Sequence, residues 1–192
     1  MDHAKREEFA TWSPVHVTVR VVAGMPSLRS LVMAAGLKKA FDAGKERSGF
    51  RLVHFSVMTN HIHFVIEAED RTSLSRGMHG LMVRMAYHLN SATRRTGKVF
   101  SDRYYSRALG STLDVKNTLG YVLKNARRHG IAFRGAIDPY SSGPWFTGWS
   151  YGVIARPQRE APVAAARTWQ LTSGWLLHGR IDPYSIPGRL TR

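Results

Sequence analysis

The sequence contains no cysteine. That excludes a disulfide framework and any thiolate metal site, and it is compatible with a reducing compartment. No apolar run is long enough to cross a bilayer, and no basic helix carries a lipid-facing stripe, so a membrane partner is not expected. Met1 to Glu8 is charged and lacks an apolar segment, which argues against a secretory leader. Acidic residues are scarce: 13 Asp+Glu stand against 28 Lys+Arg, a net charge of +15 in 192 residues. Such an excess points to a polyanionic partner, usually nucleic acid. What the chain does contain is ordinary for a globular protein, with 43% apolar and 10% aromatic residues. That supports a real core in one domain plus a tail, rather than disorder.

The basic excess is uneven. Residues 76–134 hold 12 Lys+Arg and only two acids, Asp102 and Asp114, whereas residues 1–75 hold 10 basic and 8 acidic residues. Solvated helix faces do not explain a block of one sign. Arginine leads it, and its planar fork suits phosphate oxygens.

Hydrophobic periodicity gives the order of elements. Val15–Val22 alternates and is rich in β-branched residues, a first strand. Pro26 and Ser27 open a helix running to about Gly44, with Leu28, Leu31, Val32 and Ala35 spaced for one buried face. Phe50–Met58 is a second strand, and Thr59-Asn60 a tight link into a third. A helix from Thr72 carries Met78, Leu81, Met82, Met85 and Leu89 at core spacing, and Gly97 ends it. Val99–Leu109 is a further strand. The order β-α-β-β-α-β predicts an α+β, ferredoxin-like antiparallel sheet with two helices on one face.

The third strand holds His61-Ile62-His63. Alternation puts both histidines on one face, with Ile62, Phe64 and Ile66 on the other. Their Cα atoms are about 7 Å apart, close enough for two rings to lean onto one cation. Alone, such a pair more often lines the solvent side of an amphipathic strand. If Ile62, Phe64 and Ile66 pack beneath the helices, the histidines look out from the open face. A third helix, Thr112–His129, is the segment available to cover part of that face. Its apolar stripe is Leu119, Val122, Leu123 and Ala126. Tyr121 and Asn125 fall off that stripe and stand one turn apart on another side. A phenol can be a covalent nucleophile, and a divalent cation can polarise a phosphate oxygen. His61, His63 and the Asn125 oxygen would make a neutral, open-sided site for Mg²⁺ or Mn²⁺, weak until phosphate completes it.

His61-Ile62-His63 followed by Tyr121-Val122-Leu123-Lys124-Asn125 resembles the HUH single-tyrosine transposases, especially the REP-associated tyrosine transposases. The likeness also takes in His16-Val17-Thr18-Val19-Arg20 and Val99-Phe100-Ser101-Asp102-Arg103-Tyr104-Tyr105. It spans roughly residues 12–134, leaving 135–192 as a Pro/Gly/Trp-rich extension. The resemblance implies a prokaryotic, cytoplasmic and nucleoid-associated nuclease and strand transferase acting on single-stranded, hairpin-bearing DNA. It implies that Tyr121 attacks a phosphate, forms a 5′-phosphotyrosine link and frees a 3′-OH, with His61, His63 and Asn125 as metal ligands. Many members carry Asn-Pro after the tyrosine turn. Here Asn125-Ala126 lets the helix continue through Arg127-Arg128-His129.

Other readings stay open. Tyr104 and Tyr105 are alternative nucleophiles, though they fit base stacking or packing better. Arg103, Arg127 and Arg128, with Tyr104, are candidate DNA contacts, against plain solvated charge. His54, His88 and His129 read as surface or DNA-facing. The histidines and tyrosine could merely line the groove of a non-catalytic nucleic-acid-binding module. A replication-initiator-type nickase fits less well, because 192 residues leave no room for a helicase. In the tail, Asp138-Pro139-Tyr140-Ser141 recurs as Asp182-Pro183-Tyr184-Ser185, and both begin turns. Ala161–Leu177 reads as a short helix with Trp169 and Trp175 packing back. The tail otherwise serves DNA or a second subunit, which leaves a homodimer open.

Overall fold

A computed structural model of the chain describes residues 11–153, 160–188 and 190; the charged N-terminal stretch lies outside them. The elements are β1 (Ser13–Arg20), α1 (Leu31–Gly44), β2 (Glu46–Arg47), β3 (Phe50–Val57), β4 (His61–Ala68), α2 (Arg71–Thr93), β5 (Tyr105–Ala108), α3 (Thr112–Leu123) and α4 (Asn125–Arg128). The sheet runs β2-β3-β4-β1-β5, antiparallel at every pairing. This is the α+β, ferredoxin-like order read from the sequence, with a two-residue edge strand added. The histidine strand β4 lies in the middle.

Strand alternation sorts the two faces. Ile62, Phe64 and Ile66 are fully buried in a core shared with Val15, Val17, Val19, α1 and α2. Each such side chain contributes about 1.5–3 kcal/mol of hydrophobic stabilisation. Helix α2 begins at Asp70, whose carboxylate accepts the Ser73 N–H at 2.6 Å, and buries Met78, Leu81, Met85 and Leu89. It ends at Arg94 in the left-handed region (φ 51°), three residues before the expected Gly97.

The opposite face is also covered. Val53 and Val65 pack there against Val115, Leu119, Val122 and Leu123 of α3, the stripe expected from its periodicity. The extension joins the same core through Phe146, Trp149, Leu171, Trp175 and Ile181. Polar contacts fasten it to the body as well. Asp138 grips Arg29 through both carboxylate oxygens (2.9 and 2.8 Å). The buried Glu67 accepts the Arg51 Nε at 2.6 Å and the Thr168 N–H at 2.7 Å. The echoed tetrapeptides do form like turns: the Tyr140 N–H donates to Asp138 Oδ1 at 3.0 Å and the Tyr184 N–H to Asp182 Oδ1 at 2.8 Å.

Four readings need correction. Helix α1 starts at Leu31 with Ser30 as its cap, and its inner face is Met33, Leu37, Ala40 and Phe41; Leu31 and Val32 are 82% and 63% exposed. The strand read as Val99–Leu109 is regular only over Tyr105–Ala108, with Phe100 reduced to an isolated bridge to Val21. The third helix does not run on to His129. It breaks at Lys124 (φ −113°), whose ammonium donates to the Asp182 carbonyl and the Ser185 hydroxyl in the extension. Ala161–Leu177 is not one helix but a short α5 (Trp169–Thr172) followed by a 3₁₀ turn (Gly174–His178), which buries Trp175 and leaves Trp169 exposed.

Candidate active site

The site forms where β4, β1 and α3 meet. His63 on β4 lies opposite Thr18 on β1 in the strand register, and its Nδ1 is 3.0 Å from the Thr18 hydroxyl. The same nitrogen is 3.1 Å from His16 Nε2, and the two imidazoles stack with centroids 5.2 Å apart. His61 stands perpendicular to His63 at 4.9 Å, and its Nδ1 donates to Asn60 Oδ1 at 2.8 Å. With Nδ1 of each ring occupied on the protein side, Nε2 is the nitrogen left to accept a ligand. His63 Nε2 is buried without a hydrogen-bond partner.

Helix α3 brings Tyr121 to this pair. Its ring meets His63 edge-on at 5.3 Å and His16 at 6.1 Å, and the Arg128 guanidinium lies 5.8 Å from its centre. Asn125 begins α4, just past the break at Lys124, and both ends of its amide are buried without a partner. Unpaired buried polar atoms are costly, so His63 Nε2 and the Asn125 amide both call for an explanation.

The electrostatics keep the rings neutral. Burial lowers the His61 pKa to about 4, aided by the charges of Arg20 and His129. Burial also lowers His16 to about 4, with Arg107 pushing the same way and Asp114 opposing. His63 sits well below the ordinary value, again chiefly through burial, then through His16 and His61. A neutral imidazole offers a lone pair that its protonated form lacks.

The other candidates are placed less centrally. Arg103 is exposed two residues before β5, while Tyr104 packs against the first core. Arg127 stacks on Phe133 and donates to the Ala136 carbonyl; Arg128 donates to the Pro187 carbonyl. His54 is half-buried: its ring meets Phe146 of the second core at 5.4 Å and its Nδ1 lies 3.1 Å from the Ser142 hydroxyl. His129 is exposed but stands 6.1 Å from His61, closer to the pair than its spacing in sequence suggests. Arg107 and Asp114 were not singled out, although Asp114, Thr118 and Tyr121 share one side of a helical wheel.

The family model described as "Transposase IS200 like" matches residues 15–125. The chain belongs to that family. The IS200-like chain therefore carries its histidine pair, tyrosine and Asn125 within the matched span. No curated protein matches its sequence. Among solved structures it is similar to a REP-associated tyrosine transposase bound to a REP hairpin, at 17% identity and a TM-score of 0.60, over 74% of this chain and 82% of that one. A candidate transposase from Deinococcus radiodurans aligns at 15% identity and a TM-score of 0.43, over 62% of this chain and 92% of that one. Such identities speak to fold alone. No helix among the described residues is long and apolar enough to cross a membrane.

Among the described residues of this IS200-like chain, no three His, Cys, Asp or Glu side chains are grouped to hold a metal ion. A three-ligand site here would draw on a donor outside those four types. The unpartnered His63 Nε2 and Asn125 Oδ1, with the neutral His61, supply donors of that kind. Such a set suits a divalent cation that phosphate oxygens help to hold.

Proposed function

We propose that this chain is a metal-dependent, single-strand-specific DNA endonuclease and strand transferase acting on hairpin-bearing DNA, as a REP-associated tyrosine transposase would. The observation that carries the reading is the meeting of the Tyr121 ring at 5.3 Å with His63, whose Nε2 is buried with no partner inside the protein.

Tyr121 is the nucleophile. Its phenolic oxygen attacks the scissile phosphorus and a phosphotyrosine bond forms to the 5′ side. The bond to the 3′ oxygen breaks, and that oxygen leaves as a hydroxyl once protonated. A phosphodiester has been exchanged for a phosphodiester, so attack by a 3′-OH reverses the step and joins strands. His61, His63 and Asn125 would hold Mg²⁺ or Mn²⁺, which supplies Lewis-acid polarisation of a phosphate oxygen when bound. Thr18 and Asn60 hold the two rings through Nδ1, which leaves Nε2 of each as the nitrogen for that role. The local charge of residues 76–134 draws the DNA backbone, and Arg103 and Tyr104 on the approach to β5, with Arg127 and Arg128 after the helix break, are the proposed contacts.

The test is direct. Incubation with labelled single-stranded hairpin DNA and Mn²⁺ should yield a protein–DNA adduct that survives SDS. Tyr121→Phe should abolish the adduct and leave binding intact, and a chelator should do the same to the wild type. Binding with no adduct under any metal would make the chain a non-catalytic nucleic-acid-binding module.

A further inference from the structure

The apolar stripe of α3 explains why the helix lies on the sheet but not why it lies in one register. Hydrophobic contact is non-directional, and a helix can slide or roll on it by fractions of an ångström at small cost. A second contact is directional. Arg107 on β5 donates from Nη1 to Asp114 Oδ2 at 2.6 Å and from Nη2 to Asp114 Oδ1 at 2.9 Å, the forked geometry that fixes both distance and orientation. Its Nη2 also reaches the Thr118 hydroxyl at 3.3 Å. The pair is largely shielded, with side chains 18% and 25% exposed, and Thr118 is fully buried.

These partners sit in line with the nucleophile. At about 100° per residue, Asp114, Thr118 and Tyr121 fall within roughly 60° of one another on α3. The Asp114 backbone is itself held, since its N–H donates to the Ser111 hydroxyl that caps the helix at 3.1 Å. On the sheet side, Arg107 pairs across the ladder with His16, the residue stacked on His63. One end of the contact thus belongs to the helix carrying Tyr121, and the other to the strands carrying the imidazoles. Asp114 is one of two acids in the basic block 76–134, and its charge is spent against Arg107 rather than facing a phosphate.

We infer that Arg107 and Asp114 are positioning residues: their forked ion pair sets the register of α3 on the sheet and so holds Tyr121 over His63. The inference rests on Tyr121 being the nucleophile. Neither residue touches the DNA phosphate in this role. A displacement of about 1 Å in an attacking atom can cost up to ~100-fold in rate, so loosening the fork should act on turnover rather than binding.

The experiment compares wild type, Asp114→Asn, Arg107→Lys and Asp114→Glu in the full chain. It measures the single-turnover rate of adduct formation with saturating labelled hairpin DNA and Mn²⁺, the Kd for the same DNA, and the folded fraction by circular dichroism. Asp114→Asn and Arg107→Lys, which each lose the fork, should slow the maximal rate at least tenfold with Kd within threefold of wild type. Asp114→Glu, which keeps a carboxylate fork, should stay within about threefold in both. Should Asp114→Asn fail to fold, Arg107→Lys carries the comparison, because it keeps charge and bulk. Wild-type adduct with unchanged rates in the fork-breaking variants overturns this inference alone, as does equal slowing in the Asn and Glu variants. A wild type that forms no adduct overturns the reading of Tyr121 and this inference with it.

Discussion

Glu67 accepts two hydrogen bonds from Thr168, one from the backbone N–H and one from the hydroxyl, both at 2.7 Å. Arg51 reaches the same carboxylate at 2.6 Å and the Arg167 N–H at 2.9 Å, so a fully buried charge is met from four directions. Glu67→Ala leaves the Arg51 guanidinium buried without its counter-charge. It should destabilise the fold by about 3–5 kcal/mol and expose residues 160–181 to protease. Denaturant unfolding with limited proteolysis reads both; a loss under about 1 kcal/mol, close to the value of a surface pair, would show that the extension is held by its apolar contacts instead.

Asn125 offers a way to separate stability from activity. Its buried amide has no partner, and an unmade hydrogen bond of this kind costs about 1–3 kcal/mol. Asn125→Leu, apolar and with the same side-chain branching and heavy-atom count, should raise stability by about 1 kcal/mol and abolish Mn²⁺-dependent adduct formation. An active Asn125→Leu protein would remove the amide from the proposed ligand set.

Acid should weaken the fold in a defined window. Burial lowers the His54 pKa to about 4, partly offset by Glu67, against 6.5 for the free side chain. Between these values the unfolded chain takes up a proton that the folded chain refuses. The contribution is therefore whole above pH 6.5, is lost as pH falls toward 4, and changes no further below that. The slope is about 1.4 kcal/mol per pH unit for each such proton, and His16 adds to it in the same sense. Denaturation midpoints at pH 7 and pH 5 should differ, and His54→Gln should reduce the difference. An identical difference in the variant would mean that His54 is protonated in the folded protein at pH 5.

Gly77 on α2 sits against Phe50, and a Cβ there would run into the aromatic ring. Phe50 is fully buried, so neither partner can move aside. Gly77→Ala should cost about 1–3 kcal/mol despite the better helix propensity of alanine. A rise in Tm for that variant would show that α2 can shift away from the sheet.

Several of these features were legible in the sequence. Strand alternation placed His61 and His63 together and away from Ile62, Phe64 and Ile66, because period two allows no other sorting once one face is buried. The stripe of α3 likewise separated Tyr121 from Leu119 and Val122. What escaped depended on contacts distant in sequence. The break at Lys124 goes with a lysine held by Asp182 and Ser185, which no local pattern encodes. His54 turned inward beside a register shift between Leu52 and His54, under a covering segment built of turns with no periodicity. In α1, Leu31, Val32 and Ala35 mimic a buried face, yet the helix turns Met33, Leu37 and Phe41 to the core instead.

The covering of both sheet faces governs how a polynucleotide can arrive. Open four-stranded sheets bind RNA by laying bases flat across exposed central aromatics. Here that platform is roofed: Val53, Val65 and Glu67 are sealed beneath α3 and the extension, and within β4 only His61, at its first position, keeps partial access to solvent. On the proposed function, a nucleic acid strand would approach the imidazoles from the rim, toward the leading edge of β4, instead of draping over the sheet. On that reading, the covered sheet would favour one flexible chain over a rigid duplex.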